Sequence, residues 1–152
     1  LHTAYRRQRQ MCIRDSVNTL SQKTIEALDS DARALLRKPV TAAGTWFSFS
    51  SLDGRDPETL SRLILSAASY LDRDENDEID LLSLDVFKSE ESGDFIVDAD
   101  LAVGGPTIRA RYESRWDSLE ITACWGSDTV QICQGRDSTS DLKDQLAEFG
   151  SM

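Results

Sequence analysis

"DFIVDADLAVGGPTIRARYESRWDSLEITACWGSDTVQIC", residues 94–133, decides the fold, because apolar and polar side chains alternate along it in successive runs divided by turn residues. A period of two is the mark of a strand with one face buried and the other wet. Phe95, Val97, Ala99, Leu101 and Val103 share a face of the first run; Ile108, Ala110, Tyr112 and Trp116 share a face of the second. A loop at 103–106 pairs Leu101 with Ile108 and Ala99 with Ala110, which sets Asp100 against Arg109 and Asp98 against Arg111 on the other face. Opposite charges directly across a ladder are favourable, so both faces support one register. A turn at Asp117 and Ser118 pairs Trp116 with Leu119, Tyr112 with Ala123 and Arg115 with Glu120. A Gly126-Ser127 turn then brings Leu119, Ile121, Ala123 and Trp125 beside Val130 and Ile132, with Cys124 facing Thr129. A slip of one residue would turn each apolar set to water.

Outward from this region the patterns change. "EIDLLSLDVF", residues 78–87, adds Leu82, Leu84 and Val86 to the same apolar face, joined to Phe95 by a polar loop. Steps of three and four through Ile25, Leu28, Ala32 and Leu35 predict a helix over 20–37, stopped by Pro39. "TWFSFSS", residues 45–51, alternates like a short strand with Phe47 and Phe49 on one face. Asp56 as N-cap, Pro57 where a missing N–H costs nothing, and Glu58 beside the positive dipole end open a second helix. Leu60, Leu63, Ile64, Ala67 and Leu71 form its inward stripe. A last helix, capped near Ser138 to Ser140, carries Leu142, Leu146 and Phe149. Trp46, Trp116 and Trp125 are read as core side chains. The expected architecture is α+β: an antiparallel five- to six-stranded meander sheet with two or three helices packed on one face.

"RRQRQMCIRDS", residues 6–16, has no apolar period in an otherwise acidic chain. It back-translates to the adapter and transposon end of tagmentation sequencing libraries, and "LHTAY" before it fits the end of the outer primer and a variable index. Residues 1–16 are therefore read as a translated laboratory scar, and 17–152 as a single α+β domain cut from a longer coding sequence. The scar holds four of the 17 basic residues, one of the 27 acidic ones and the sole histidine, His2; the rest keeps 13 and 26, a formal charge of −13 where the whole chain has −10. Without histidine, histidine-activated nucleophiles are excluded and a zinc site loses its usual donors. Such acidity opposes binding to a nucleic-acid backbone, which needs lysines and arginines, and favours encounter with a basic partner. No run reaches the ~18 apolar residues of a membrane helix.

"DRDENDEIDLLS", residues 72–83, carries the sharpest local motif. It resembles an EF-hand calcium loop, with Asp72, Asp74 and Asn76 at loop positions one, three and five, Glu78 at seven and Asp80 at nine. The resemblance implies Ca2+ held by these oxygens. Asp77 stands where the motif has glycine, and Ser83 where it has the bidentate glutamate. Cys124 and Cys133 lie about 13 Å apart at ~3.3 Å per residue, beyond the ~7 Å a disulfide spans. They are read as free thiols in a reducing, cytoplasmic compartment.

Arg109, Arg111 and Arg115 form a basic stripe on the polar face, accompanied by Leu81, Phe87 and Ile96, which are too apolar for a wholly wet surface. The leading expectation is a non-enzymatic, acidic protein-binding module, chaperone-, adaptor- or inhibitor-like, that uses this open face. Its partner is another, basic protein or a second copy, with neither nucleic acid nor membrane involved. Two alternatives stand beside it: a calcium-binding domain through 72–83, and a small-ligand carrier or carboxylate-based enzyme.

Overall fold

The computed structural model describes residues 22–37, 45–49, 56–71, 79–126, 128–138 and 140–152. In chain order these form α1 (Gln22–Ala27), α2 (Ser30–Arg37), β1 (Thr45–Phe49), α3 (Pro57–Ala68), β2 (Ser83–Lys88), β3 (Phe95–Ala102), β4 (Thr107–Glu113), β5 (Ser118–Trp125), β6 (Asp128–Gln134) and α4 (Asp141–Ser151). Residues 1–16 lie outside the described set.

The alternating stretches 78–87 and 94–133 become a meander in which β2 to β6 follow one another as antiparallel neighbours, and β1 joins at the far side in the order β1-β6-β5-β4-β3-β2. The helices cover the face that carries Val97, Ala99, Tyr112, Leu119, Ile121, Val130 and Ile132, all buried. α3 lies over β5 and β6, and α4 over β3 with its neighbours β2 and β4. The fold is α+β, as the patterning predicts. Burying a leucine or isoleucine is worth about 1.5–3 kcal/mol, so Leu60, Leu63 and Ile64 of α3 and Leu142 and Leu146 of α4 bind the layers together.

Helix starts follow their capping chemistry. The Asp56 carboxylate accepts from the Glu58 N–H and the Thr59 hydroxyl, with Pro57 inside the first turn. Ser140 caps α4 by accepting from the Lys143 N–H, while its own hydroxyl donates to the Gln134 amide oxygen. The single helix expected over 20–37 is instead two, broken at Leu28 and Asp29. Asp29, Ser30 and Asp31 are N-cap formers that favour a restart. The freed Asp29 N–H donates to Ser61 Oγ at 3.0 Å, and the Arg33 guanidinium donates to the Glu26 carbonyl at the end of α1.

Strand registers agree with the sequence in part. Ala99 faces Ala110, Asp100 faces Arg109 and Asp98 faces Arg111, as expected. Ile108, however, faces Ala102 in place of Leu101, because the ladder shifts between Asp100 and Ala102. This bulge absorbs one residue beside the loop and leaves Leu101 buried in the core. On the other side, Ala123 faces Val130, Ile121 faces Ile132 and Cys124 faces Thr129, with Gly126 supplying the positive φ of 61° that a tight hairpin needs.

The β4–β5 register is a correction. Leu119 pairs with Tyr112, not Trp116, and Glu120 faces Arg111, not Arg115. The turn occupies 114–117, four residues where two were expected. Ser114 ends β4 by exchanging bonds with Phe95: its N–H donates to the Phe95 carbonyl and its hydroxyl accepts the Phe95 N–H. A displacement of four positions is even, so every side chain keeps its expected face.

Three further expectations change. The alternation predicts Leu82, Leu84 and Val86 on the buried face, yet Leu82, which precedes β2, and every residue of β2 are exposed. Leu81 precedes the strand and packs half-buried against the core. Trp125 stays 49 % exposed with its ring against Gly105, and Trp116 is half-buried in the turn. The side chain of Trp46 lies outside the described set.

Candidate functional site

The open face of the sheet carries the side chains that the alternation turns away from the helices. On β3 and β4 these are Ile96, Asp98, Asp100, Arg109, Arg111 and Glu113; on β2 they are Ser83, Asp85 and Phe87. Two shallow depressions lie side by side on this face.

The first, about 500 Å3, is polar and includes Asp85, Asp98, Asp100, Arg109, Arg111 and Glu120 in its lining. The register sets each arginine beside its acid. Arg111 grips Asp98 with two bonds, Nε to Oδ1 at 2.8 Å and Nη2 to Oδ2 at 3.0 Å. Arg109 Nε lies 2.9 Å from Asp100 Oδ1, and the Ser83 hydroxyl donates to Asp100 Oδ2 at 2.7 Å. The Arg109 and Arg111 side chains are 71 % and 48 % exposed; ion pairs so exposed are worth about 0–1 kcal/mol each. Their main effect is to engage both guanidinium groups within the sheet, which leaves the cleft poorly suited to an anionic ligand.

The second depression, about 460 Å3, is more apolar and lies over Phe87, Ile96, Phe95 and Trp116, with Glu113 and Arg115 at its margin. Phe87 and Ile96 are cross-strand partners, and Phe87 is 57 % exposed. Arg115 sits in the β4–β5 turn with its guanidinium 5.3 Å from the Trp116 ring centre, a cation–π contact. The six partner-binding positions expected from the sequence are thereby divided. Phe87, Ile96 and Arg115 share the apolar depression, Arg109 and Arg111 the polar cleft, and Leu81 belongs to neither because it packs toward the core.

Beside both depressions runs β2 itself, which among the described residues is bonded on one side only, to β3. It therefore presents main-chain donors and acceptors as well as Leu84, Val86 and Phe87, which are 36 %, 39 % and 57 % exposed. A surface that combines unpaired backbone, protruding apolar side chains and an adjoining depression can bind a polypeptide. Sequence alternation located Phe87 and Ile96 but not the open edge, because it cannot say where the helices stop covering the sheet.

Of the calcium positions, Asp80 is exposed ahead of β2. Asp72, Asp74, Asn76 and Glu78 lie outside the described residues. Among the described residues no cluster of three or more histidine, cysteine or acidic side chains has metal-site spacing, and no helix is long and apolar enough to cross a membrane.

A polar cluster that sequence reading missed lies on the helix side. Lys143 is 3 % exposed. Its Nζ donates to the carbonyls of Gly135 at 2.9 Å and Ser138 at 2.7 Å, and lies 3.4 Å from Asp117 Oδ2. Asp117 Oδ1 in turn accepts the Tyr112 hydroxyl at 2.7 Å. Burial, and then the neighbouring Asp117 and Asp144 carboxylates, push the Tyr112 phenol well above its usual value. This cluster ties the β4–β5 turn to the start of α4 and is saturated, so its work is structural. A lysine one position from Leu142 gives no sequence signal of burial, since such residues ordinarily face water. Comparison of the chain with protein-family models, with curated proteins and with solved structures finds no match.

Proposed function

We propose that this chain is an acidic protein-binding module, chaperone-, adaptor- or inhibitor-like, that holds another polypeptide against the open face of its sheet. The observation that carries the reading is Phe87, 57 % exposed beside its cross-strand partner Ile96 in an apolar depression at the sheet margin. Exposed aromatic side chains clustered at a concavity are the usual anchors of protein contacts. The acidic surface, formally −10 over the whole chain, would speed encounter with a basic partner. Cys124 and Cys133, neither of them in a disulfide, suit a cytoplasmic setting, and residues 17–152 are taken as one domain.

The test is selection from a random peptide display library on the purified chain, with a Phe87→Asp, Ile96→Asp double variant as counter-target. Selected peptides should bind the wild type and lose about tenfold or more in affinity on the double variant, with thermal melts showing both proteins folded. A library that yields no enriched peptide, or peptides indifferent to the double substitution, overturns the reading.

A further inference from the structure

We propose that β2 is a strand-addition site, taking an extended segment of a partner in which apolar side chains alternate with lysine or arginine. The inference rests on the protein-binding reading and specifies its mode and the chemistry of its partner.

The backbone supplies the first half of the case. The Ser89 N–H donates to the Asp94 carbonyl at 2.8 Å, which makes that pair a bonded one. Bonded and non-bonded pairs alternate along an antiparallel ladder, so Asp85 and Phe87 also turn their main-chain groups toward β3. Leu84, Val86 and Lys88 must then direct theirs away from the sheet, into the open edge. An incoming strand finds their donors and acceptors aligned.

Side chains supply the second half. Leu84 and Val86 project on the helix side and Asp85 and Phe87 on the open side, so the occupant needs apolar residues opposite Leu84 and Val86 with a cation between them, opposite Asp85. Charge around the edge agrees. Asp80 lies before the strand and Glu90 and Glu91 after it, all exposed. The only cation of β2, Lys88, donates its Nζ to the Met152 carbonyl at 2.7 Å. A second copy of this chain fits worse. Two-fold symmetric pairing joins positions of like parity, and the register that sets Leu84 on Val86 also sets Asp85 on Asp85, between molecules of formal charge −10 each.

The experiment titrates the full chain into fluorescein-labelled peptides matched to the six residues of β2. One alternates Val and Lys; a second replaces Lys by Glu; a third repeats the Val/Lys sequence with alternate amides N-methylated on the ladder-facing side. Anisotropy should show binding of the first, about tenfold weaker binding of the second and none of the third. Asp85→Lys should weaken the first about fivefold. Val86→Pro should abolish binding while leaving the β2–β3 ladder whole, because the N–H it removes faces outward. Should that variant fail to fold, the N-methylated peptide makes the same test without altering the protein. Equal binding of the Glu peptide, or indifference to N-methylation, overturns the inference, as does sedimentation showing a wild-type dimer that Val86→Pro makes monomeric. If library-selected peptides bind Val86→Pro normally yet need Phe87 and Ile96, strand addition is wrong and the protein-binding reading stands.

Discussion

Lys143 has three ammonium protons and three acceptors around it, the carbonyls of Gly135 and Ser138 and the Asp117 carboxylate. Asp117 is placed for this by its positive φ of 48°, which aspartate tolerates better than most side chains, and by the Tyr112 hydroxyl bonded to its other oxygen. Replacing Tyr112 by Phe should cost about 1 kcal/mol near neutral pH, measured by urea denaturation. The pH dependence follows from the sign of the shift. The folded state holds the neutral phenol more firmly than the unfolded chain does, so this contribution is complete below about pH 10 and is lost as pH rises through the higher folded value. Tyr112→Phe should therefore lose less stability than the wild type on going from pH 9 to alkaline conditions above ~10; equal losses would deny the linkage. Gly150 poses a steric test. It is buried in α4 with the Phe95 ring occupying the place a Cβ would take. Gly150→Ala should destabilise by about 1–3 kcal/mol despite alanine's better helix propensity, whereas a stabilised variant would show that the ring does not press on the helix.

Between elements, one hydroxyl joins three helices. Ser61 Oγ, buried within α3, donates to the Pro57 carbonyl at 2.7 Å and accepts the N–H of Asp29, the residue that separates α1 from α2. Ser61→Ala should cost about 1 kcal/mol, seen as a lower urea midpoint with unchanged slope. A changed slope would mean that the helical layer itself had loosened. The contrast between two hairpins shows what local sequence can determine. Gly126 and Ser127 allow only a two-residue reversal between apolar runs, so the β5–β6 register is readable from the residues alone. Between β4 and β5 a two-residue and a four-residue turn both keep Tyr112, Leu119 and Ile121 inward. The choice depends on contacts of Asp117 with Tyr112 and with Lys143, far along the chain, and of Ser114 with Phe95. Parity is written locally; the offset is decided by tertiary partners. The same holds at β2, where alternation places Leu84 and Val86 on the helix side but the layer above does not bury them.

At the scale of the whole molecule, negative charge dominates. A formal −10 makes the folded state repel itself, and added salt screens that repulsion. The Arg109–Asp100 and Arg111–Asp98 pairs weaken under the same screening, but at their exposure they contribute about 0–1 kcal/mol each. Tm should therefore rise between about 0.01 M and 0.15 M KCl; a falling Tm would show that exposed ion pairs outweigh net repulsion. Fold class, helix caps and the shared face of Phe87 and Ile96 were legible in the residues because each depends on a short-range pattern. The open edge was not, since it depends on how far α4 reaches across the sheet. Amide hydrogen exchange followed residue by residue tests that edge most directly. If β2 is bonded to β3 alone, the amides of Asp85, Phe87 and Ser89 should be protected while those of Leu84, Val86 and Lys88 exchange rapidly. Uniform protection along the strand would mean that the edge is covered, and uniform rapid exchange that β2 is not part of the sheet.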